Sequence, residues 1–382
     1  GGTALLTFVV ALGNLATYSL VAEALALRRE RSRTFAPLAR PALRLVVPMV
    51  AFIALGAAEH ARVRNAIDHA KDSVRIGIVQ GNVSDELRRS WARGDADAAR
   101  ESLQTYVRGT ERLLESPTPP DLVVWPETAY PGVFRKPESD AQLHLNVAFD
   151  RLVAKLGVPL AFGAYDREAR TDRRVLRNAL YLVIPTSGQR TDELSPMQVY
   201  HKSTLFPFGE YLPFADEEVA RRWLPGAAQL SRGDGAAVLE LGIADSGVLR
   251  LGPSICYEDV FPSHARALSH LDAEFLINIS NDSWFGDYGA ARWHLIMAAF
   301  RSIETRLPQV RATNSGYSAF ILPDGSLRAV TEFDSSTERS VALPITNLDS
   351  PPFARFGDWF GWLSVLVAGV AVFVSRRSAV TE

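Results

Sequence analysis

Apolar positions fall into two patterns along the chain: long unbroken runs near both ends, and short strand-like or helix-periodic segments between them. From Gly1 to Leu27 the sequence is almost uncharged, interrupted by Asn14 and Glu23. At about 1.5 Å per residue, a helix of that length crosses a bilayer core of about 30 Å. Leu45 to Ala58 is shorter, and reaches spanning length when Pro41 to Leu43 are added and Arg44 snorkels to the headgroups. Phe356 to Val374 is apolar apart from Asp358, opens with Trp359, Phe360 and Trp362 at interface depth, and stops at Arg376 and Arg377. The pattern predicts three transmembrane helices; the alternative for each is a buried core helix, which suits the middle segment best. Arg28, Arg29, Arg31, Arg33 and Arg40 form a basic loop between the first two segments, which the positive-inside rule assigns to the cytoplasm. Three crossings then put the polar middle of the chain outside and return Arg376 and Arg377 to the cytoplasmic side.

Between His60 and Ser350 the pattern becomes that of a folded polar domain. Val74–Val79 reads as a buried strand, Ala98–Leu114 as an amphipathic helix, and Leu122–Trp125 as a strand ending at Pro126-Glu127. A helix over Ala141–Leu156 leads to strands at Pro159–Ala164, Ala179–Ile184 and Gln198–His201. Strands at Val248–Ser254 and Phe275–Ile279, a helix at Ala290–Arg306, strands near Val310 and Phe320, and Val341–Ile345 continue the alternation. The order predicts an α/β fold with helices covering mixed sheets. The domains expected are residues 1–59, a membrane region with two transmembrane helices, a folded polar domain over 73–348, and a C-terminal transmembrane helix over 356–375. Phe206 to Gly235, rich in Pro, Gly and aromatics, is too long for a connector and reads as a functional loop.

Composition narrows this picture. Hydrophobic residues make up 47% of 382, at the upper edge for a soluble globular chain. A near-balance of 41 basic and 43 acidic residues leaves no positive excess for a nucleic acid backbone. One cysteine, Cys256, excludes an intrachain disulfide and any Cys-based metal cluster, and no other set of metal ligands is visible. The opening Gly1-Gly2, without Met, reads as a fragment or processed form.

Three residues carry candidate chemistry. Cys256 ends the apolar run from Leu251, Glu127 ends Val123-Val124-Trp125-Pro126, and Lys202 follows Tyr200-His201. Taken singly, Cys256 is a small buried hydrophobe, Glu127 a helix cap or salt-bridge partner, and Lys202 a solvated charge. Together, a thiol, a carboxylate and an ammonium at strand ends are the nucleophile, base and oxyanion donor of acyl transfer.

These motifs resemble the Glu-Lys-Cys signature of the nitrilase superfamily in its apolipoprotein N-acyltransferase branch: Trp125-Pro126-Glu127, His201-Lys202 followed by Phe206-Pro207-Phe208-Gly209-Glu210-Tyr211, and Cys256-Tyr257-Glu258. The branch pattern continues through Asn281-Asp282-Ser283-Trp284-Phe285, His294, Arg301, Glu304 and Asn314-Ser315-Gly316. After Gln80-Gly81-Asn82, relatives often carry a tryptophan where Arg89 aligns; Trp91 stands close by. The resemblance implies a nitrilase-like α-β-β-α sandwich flanked by transmembrane helices, without a cofactor or metal. It implies catalytic Glu127, Lys202 and Cys256, with Glu210, Tyr257, Glu258 and Trp284 in supporting or substrate-binding roles. Glu210 is expected to orient Lys202 and Glu258 to polarise groups around Cys256, with structural salt bridging as the other reading of both. Asn281–Phe285 reads equally as a turn with an aromatic anchor or as a substrate wall, and His201 and His294 read as structural.

The implied reaction moves a fatty acyl chain from a phospholipid donor, through a thioester, to the N-terminal amine of a diacylated apolipoprotein. The implied location is the bacterial inner membrane, multi-pass, with the catalytic domain on the periplasmic side. The competing readings are a membrane-tethered amidase using the same triad with water, and a binding domain without chemistry. Proton transfer from a reference cysteine to a reference glutamate is uphill by about 6 kcal/mol. Desolvation is therefore expected to raise the pKa of Glu127, while Lys202 and a helix N-terminus lower that of Cys256.

Overall fold

The computed structural model describes residues 2–29, 36–136, 140–169, 174–185, 195–213, 222, 230–243, 247–286 and 289–380. Two units separate, one formed by residues 1–68 with 350–382 and the other by residues 69–349.

In the first unit, all three long apolar segments are helical: α1 (Gly2–Arg29), α2 (Ala36–Asp68) and, after the short α8 (Pro352–Phe356), α9 (Trp359–Val380). α1 packs against α2, and the ring of Phe8 meets Phe360 edge-on at 5.0 Å. Large apolar side chains nevertheless point outward, with Leu55 71% and Trp362 75% exposed. Among the described residues, no helix is long and apolar enough to cross a membrane, so the expected transmembrane spans are not shown. α2 continues beyond the apolar stretch through Glu59 and Arg62, paired at 3.0 Å, to Asp68, and some side chains of each apolar segment lie outside the description. The expected basic loop is also shorter than the sequence implies: Arg28 and Arg29 end α1, Arg40 belongs to α2, and Arg31 and Arg33 are outside the description.

The second unit is built on two six-stranded sheets. The first has the order β12-β1-β2-β3-β4-β5, from β1 (Asp72–Gln80), β2 (Leu122–Val124), β3 (Leu160–Ala169), β4 (Arg174–Val183), β5 (Met197–His201) and the returning β12 (Thr337–Ile345). The second has the order β11-β10-β9-β8-β7-β6, from β6 (Leu239–Ile243), β7 (Gly247–Ile255), β8 (Phe275–Ser280), β9 (Gln309–Thr313), β10 (Ala319–Ile321) and β11 (Leu327–Arg328). β1-β2-β3 and β7-β8-β9 are parallel, and the outer pairs antiparallel. The sheets meet through β1 against β9 and β4 against β7. Strands covered on both faces need apolar residues at successive positions, which is why β8 reads Phe-Leu-Ile-Asn-Ile-Ser and is buried throughout.

Helices cover the outer faces. α4 (Ala96–Leu114), capped by the Asp95 carboxylate, lies on β1 and β12, and the short α3 (Asp85–Ala92) packs on it. Phe149 and Val153 of α5 (Asp140–Leu156) bury against Phe162 and Tyr181 in a cluster of rings that includes Trp125, Tyr130 and Phe134. On the second sheet, α6 (Pro262–His270) covers β7 and packs against α7 (Ala290–Thr305). The α/β sandwich expected from the sequence is therefore observed. β6 and β11 were not anticipated; β11 is a two-residue strand, too short to show a period. Of the Phe206 to Gly235 stretch, Phe208, Tyr211 and Leu212 are described, while Phe214, Trp223 and Leu224 lie outside the described residues.

Candidate active site

Glu127 follows β2 in a turn fixed by backbone approach. The Pro126 carbonyl accepts from the Gly163 and Ala129 amides at 3.1 and 3.3 Å. A Cβ on Gly163 would lie 2.4 Å from the Thr128 nitrogen and 2.6 Å from the Glu127 Cα, so only glycine lets β3 come this close. The carboxylate of Glu127, 7% exposed, accepts from Asn178 Nδ2 at 2.6 Å and from the Asn281 amide at 3.0 Å. Lys202 leaves β5 with its amide donated to the Asn178 carbonyl at 2.9 Å. Its ammonium, 1% exposed, lies 2.7 Å from Glu210 and 3.6 Å from Glu127. Asn178, in mid-β4, thus organises both residues from its side chain and its backbone.

Cys256 is half-buried at the end of β7, where the chain turns with φ +52° into a 3-10 turn over Cys256–Val260. A non-glycine residue in the left-handed region is uncommon, and surrounding contacts must hold it. Glu258 supplies them. Fully buried, its carboxylate accepts from the Ile255 amide at 2.9 Å, Tyr200 hydroxyl at 2.8 Å, Ser203 amide and hydroxyl at 2.6 and 2.8 Å, and Thr204 amide at 2.9 Å. These groups flank Cys256 on one side and Lys202 on the other. Glu258 therefore joins the two chain segments through its carboxylate. Glu210 pairs with Lys202 at 2.7 Å and also accepts from the Phe206 amide at 2.7 Å. Tyr257 meets Phe206 and Phe261 edge-on at 5.1 and 4.9 Å, so it joins an aromatic wall. The side chain of Trp284 lies outside the described residues.

The charges act as follows. Burial raises the pKa of Glu127, the ammonium of Lys202 opposes that rise, and the negative charge of Glu210 adds to it. Burial also works to neutralise Lys202, but Glu127, Cys256 and Glu210 outweigh it and hold the ammonium protonated. Burial pushes the Cys256 thiol up, the Glu127 charge pushes further, and Lys202 only partly compensates. The expected lowering of the thiol pKa is thus reversed, because desolvation of a thiolate outweighs one nearby cation.

Behind Cys256 lies a buried polar quartet whose connections the sequence did not reveal. Arg311 donates to Asp259, to Asn278 at 2.5 Å and to Asp282 at 3.0 Å. His294 bridges Asp259 and Asp282 at 2.7 and 3.0 Å. Burial and the Arg311 charge disfavour a protonated imidazole, yet the two carboxylates hold the His294 pKa up at about 9. Two anions then balance two cations, as a buried set of charges requires. The available signal for Arg311 was one charge within the otherwise uncharged buried strand Gln-Val-Arg-Ala-Thr. His201 pairs with Asp166 at 2.7 Å, away from the thiol's partners. Among the described residues, no group of three or more His, Cys, Asp or Glu side chains could hold a metal ion.

A family model described as carbon-nitrogen hydrolase matches residues 75–344. An apolipoprotein N-acyltransferase of Bdellovibrio bacteriovorus is 34% identical over 263 residues, covering 68% of this chain and 46% of that protein. Its counterpart in Geobacter metallireducens is 28% identical over 380 residues, covering 98% of this chain and 66% of that one. The chain thus spans about half to two thirds of the length of these relatives. Among solved structures, an amidase of the nitrilase superfamily from Nesterenkonia aligns with a TM-score of 0.48 and 16% identity, over 72% of this chain and 93% of that one. The family match takes in both sheets together with Glu127, Lys202 and Cys256, and the chain belongs to the carbon-nitrogen hydrolase family, with apolipoprotein N-acyltransferases among the proteins it resembles.

Proposed function

We propose that the protein is an acyltransferase that moves a fatty acyl chain from a phospholipid to the N-terminal amine of a diacylated apolipoprotein. The observation that carries this reading is a buried ammonium, Lys202, held between Glu127 and Glu210 and acting electrostatically on the Cys256 thiol. The names of the relatives support the substrates, and the outward apolar side chains of α1, α2 and α9 support a membrane setting. The protein is accordingly proposed to be multi-pass in the bacterial inner membrane, with its catalytic domain on the periplasmic side, the orientation that the basic residues near α1 and at Arg376-Arg377 favour.

The thiol is neutral at rest, so its proton passes to the Glu127 carboxylate as Cys256 Sγ attacks the donor's ester carbonyl. Lys202 balances the oxyanion that forms. As the carbon-oxygen bond breaks, protonated Glu127 returns the proton to the glycerol oxygen, a lysophospholipid leaves, and Cys256 carries a thioester. The acceptor amine then attacks the thioester carbonyl and gives a proton to Glu127. The carbon-sulfur bond breaks, the sulfur is reprotonated, and an amide is released. An amidase would use the same residues with water as acceptor, and the apolar helix surfaces favour the lipid reading over it.

Incubation with phospholipid vesicles and a diacylated lipopeptide, followed by lipid mass spectrometry, tests the assignment. N-acylated lipopeptide and lysophospholipid are expected in equal amounts. Free fatty acid without N-acylated product would refute acyl transfer and leave hydrolysis.

A further inference from the structure

Arg88 on α3 is a cation beside the candidate site that the reaction above does not use. It is partly exposed, and its guanidinium donates to the hydroxyl of Thr128, the residue after Glu127. No carboxylate of the described residues pairs with it, and Thr128 is its one hydrogen-bond acceptor there. A guanidinium carries five N–H donors in a planar fork suited to carboxylate or phosphate oxygens. Most of that fork is therefore available at the edge of the site.

The position is built. Ser84 caps α3 by accepting from the Leu87 amide at 3.2 Å. One turn before Arg88, Asp85 accepts from the Ser283 hydroxyl at 3.1 Å, and Ser283 belongs to the segment whose Asn281 amide holds Glu127. The helix that carries Arg88 is thus tied to the same loop as the proposed base. Electrostatics agree with this placement, since the Arg88 charge acts on Glu127 and on buried Tyr165.

We propose that Arg88 binds an anionic oxygen of the substrate, the phosphodiester of the acyl donor. This inference rests on the phospholipid-dependent reading above. In a glycerophospholipid the scissile ester and the phosphate share one glycerol unit, so both are presented together. Seating the phosphate on the guanidinium fork fixes the ester relative to Cys256 through two points. It also places the headgroup's negative charge against a cation rather than near Glu127 alone.

The test uses the full chain in detergent micelles, with two measurements. The first is equilibrium binding of a diether phosphatidylglycerol, which cannot be cleaved, against the matching diether glycerol without phosphate, in a Cys256→Ala background. Arg88→Gln is expected to reduce the preference for the phosphorylated lipid about tenfold or more, and Arg88→Lys to recover part of it as a charge without a fork. The second is the rate of thioester formation on Cys256 with phosphatidylglycerol or diacylglycerol, and the rate of thioester discharge to a lipopeptide with a free or amidated carboxyl terminus. Arg88→Gln is expected to lower the phosphatidylglycerol to diacylglycerol rate ratio by the same factor. An unchanged lipid preference in both measurements overturns the proposal. So does a defect confined to discharge by the free-carboxylate lipopeptide, which would assign the anion to the acceptor. If the parent protein prefers the phosphorylated lipid through Arg88 yet forms no thioester, the acyltransferase reading fails and the anion site stands.

Discussion

Replacing Glu258 by glutamine keeps the side chain's shape and removes its charge, which isolates what the buried carboxylate contributes. Five donors converge on it: the Ile255, Ser203 and Thr204 amides and the Tyr200 and Ser203 hydroxyls. A carboxylate accepts from all of them, whereas a glutamine amide offers one oxygen and turns two further N–H donors toward groups that are themselves donors. Placed with its oxygen toward Ser203 and Thr204, the glutamine leaves the Ile255 amide facing an NH2 group; the Tyr200 hydroxyl can rotate to accept. One unsatisfied buried donor costs about 1–3 kcal/mol, and losing charge assistance on the remaining bonds adds on the order of 1 kcal/mol. Glu258→Gln is therefore expected to destabilise the catalytic unit by about 2–4 kcal/mol, a fall in Tm of roughly 5–10 °C. Because the unsatisfied amide precedes Cys256 at its φ of +52°, thioester formation should fall by at least about tenfold even at temperatures where the variant remains folded. Thermal unfolding and intact-protein mass spectrometry of the acyl-enzyme measure the two effects. A variant whose Tm lies within about 2 °C of the parent and which acylates within twofold would refute the bracing role.

Lys202→Met should fold yet lose at least about 100-fold in acyl-enzyme formation, and retention of a tenth of the parent rate would remove it as oxyanion partner. Because burial raises the Glu127 pKa above its ordinary value, acylation should increase with pH as that carboxyl ionises, above pH 4.5, and the stability linked to its protonated form should decline across the same window; a pH-rate profile flat from 5 to 8 contradicts this. For His294 the folded pKa of about 9 exceeds the reference 6.5, so its stabilisation is complete below about pH 6.5 and is lost as pH rises through about 9; His294→Phe should flatten that limb in Tm measured from pH 6 to 10. With phospholipid and no acceptor, the parent's mass should rise by one acyl group that neutral hydroxylamine removes, and N-acylation at normal rate by Cys256→Ala would exclude a covalent route.

Much of the fold was legible because strand and helix periods are local. Val74–Val79 and Ala98–Leu114 fall within β1 and α4, and the strand ends carrying Glu127 and Cys256 were readable from apolar runs that stop at a polar residue. What the sequence concealed depends on contacts across long separations. Asn178 precedes the strand read from the sequence at Ala179–Ile184, and its part in the site shows only once its side chain is seen on Glu127, 51 positions away. Arg311 gains its meaning from Asp259 and Asp282, on segments that reach it through parallel β7, β8 and β9. The raised pKa of Cys256 escapes the sequence for a related reason. A nearby lysine can be inferred from a motif, but the depth of burial that outweighs it is a property of the packed sheets.

The direction of that pKa also explains how the proposed site performs chemistry at constant charge. Before attack, the Glu127 carboxylate carries one negative charge beside the Lys202 ammonium and a neutral thiol. When sulfur adds to the carbonyl and its proton moves to Glu127, the base becomes neutral and the new negative charge lies on the oxyanion, so the sum is unchanged. A buried site that creates net charge during reaction would incur a desolvation penalty at the transition state; one that relocates a charge beside a fixed ammonium avoids most of it. A preformed thiolate would forgo this advantage, because its charge would already have required solvation before substrate arrived. The raised thiol pKa is therefore consistent with nucleophilic catalysis, provided that proton transfer and carbon-sulfur bond formation occur together. Arg88, bordering the same charges, offers, as proposed, a counter-charge to the donor's phosphate.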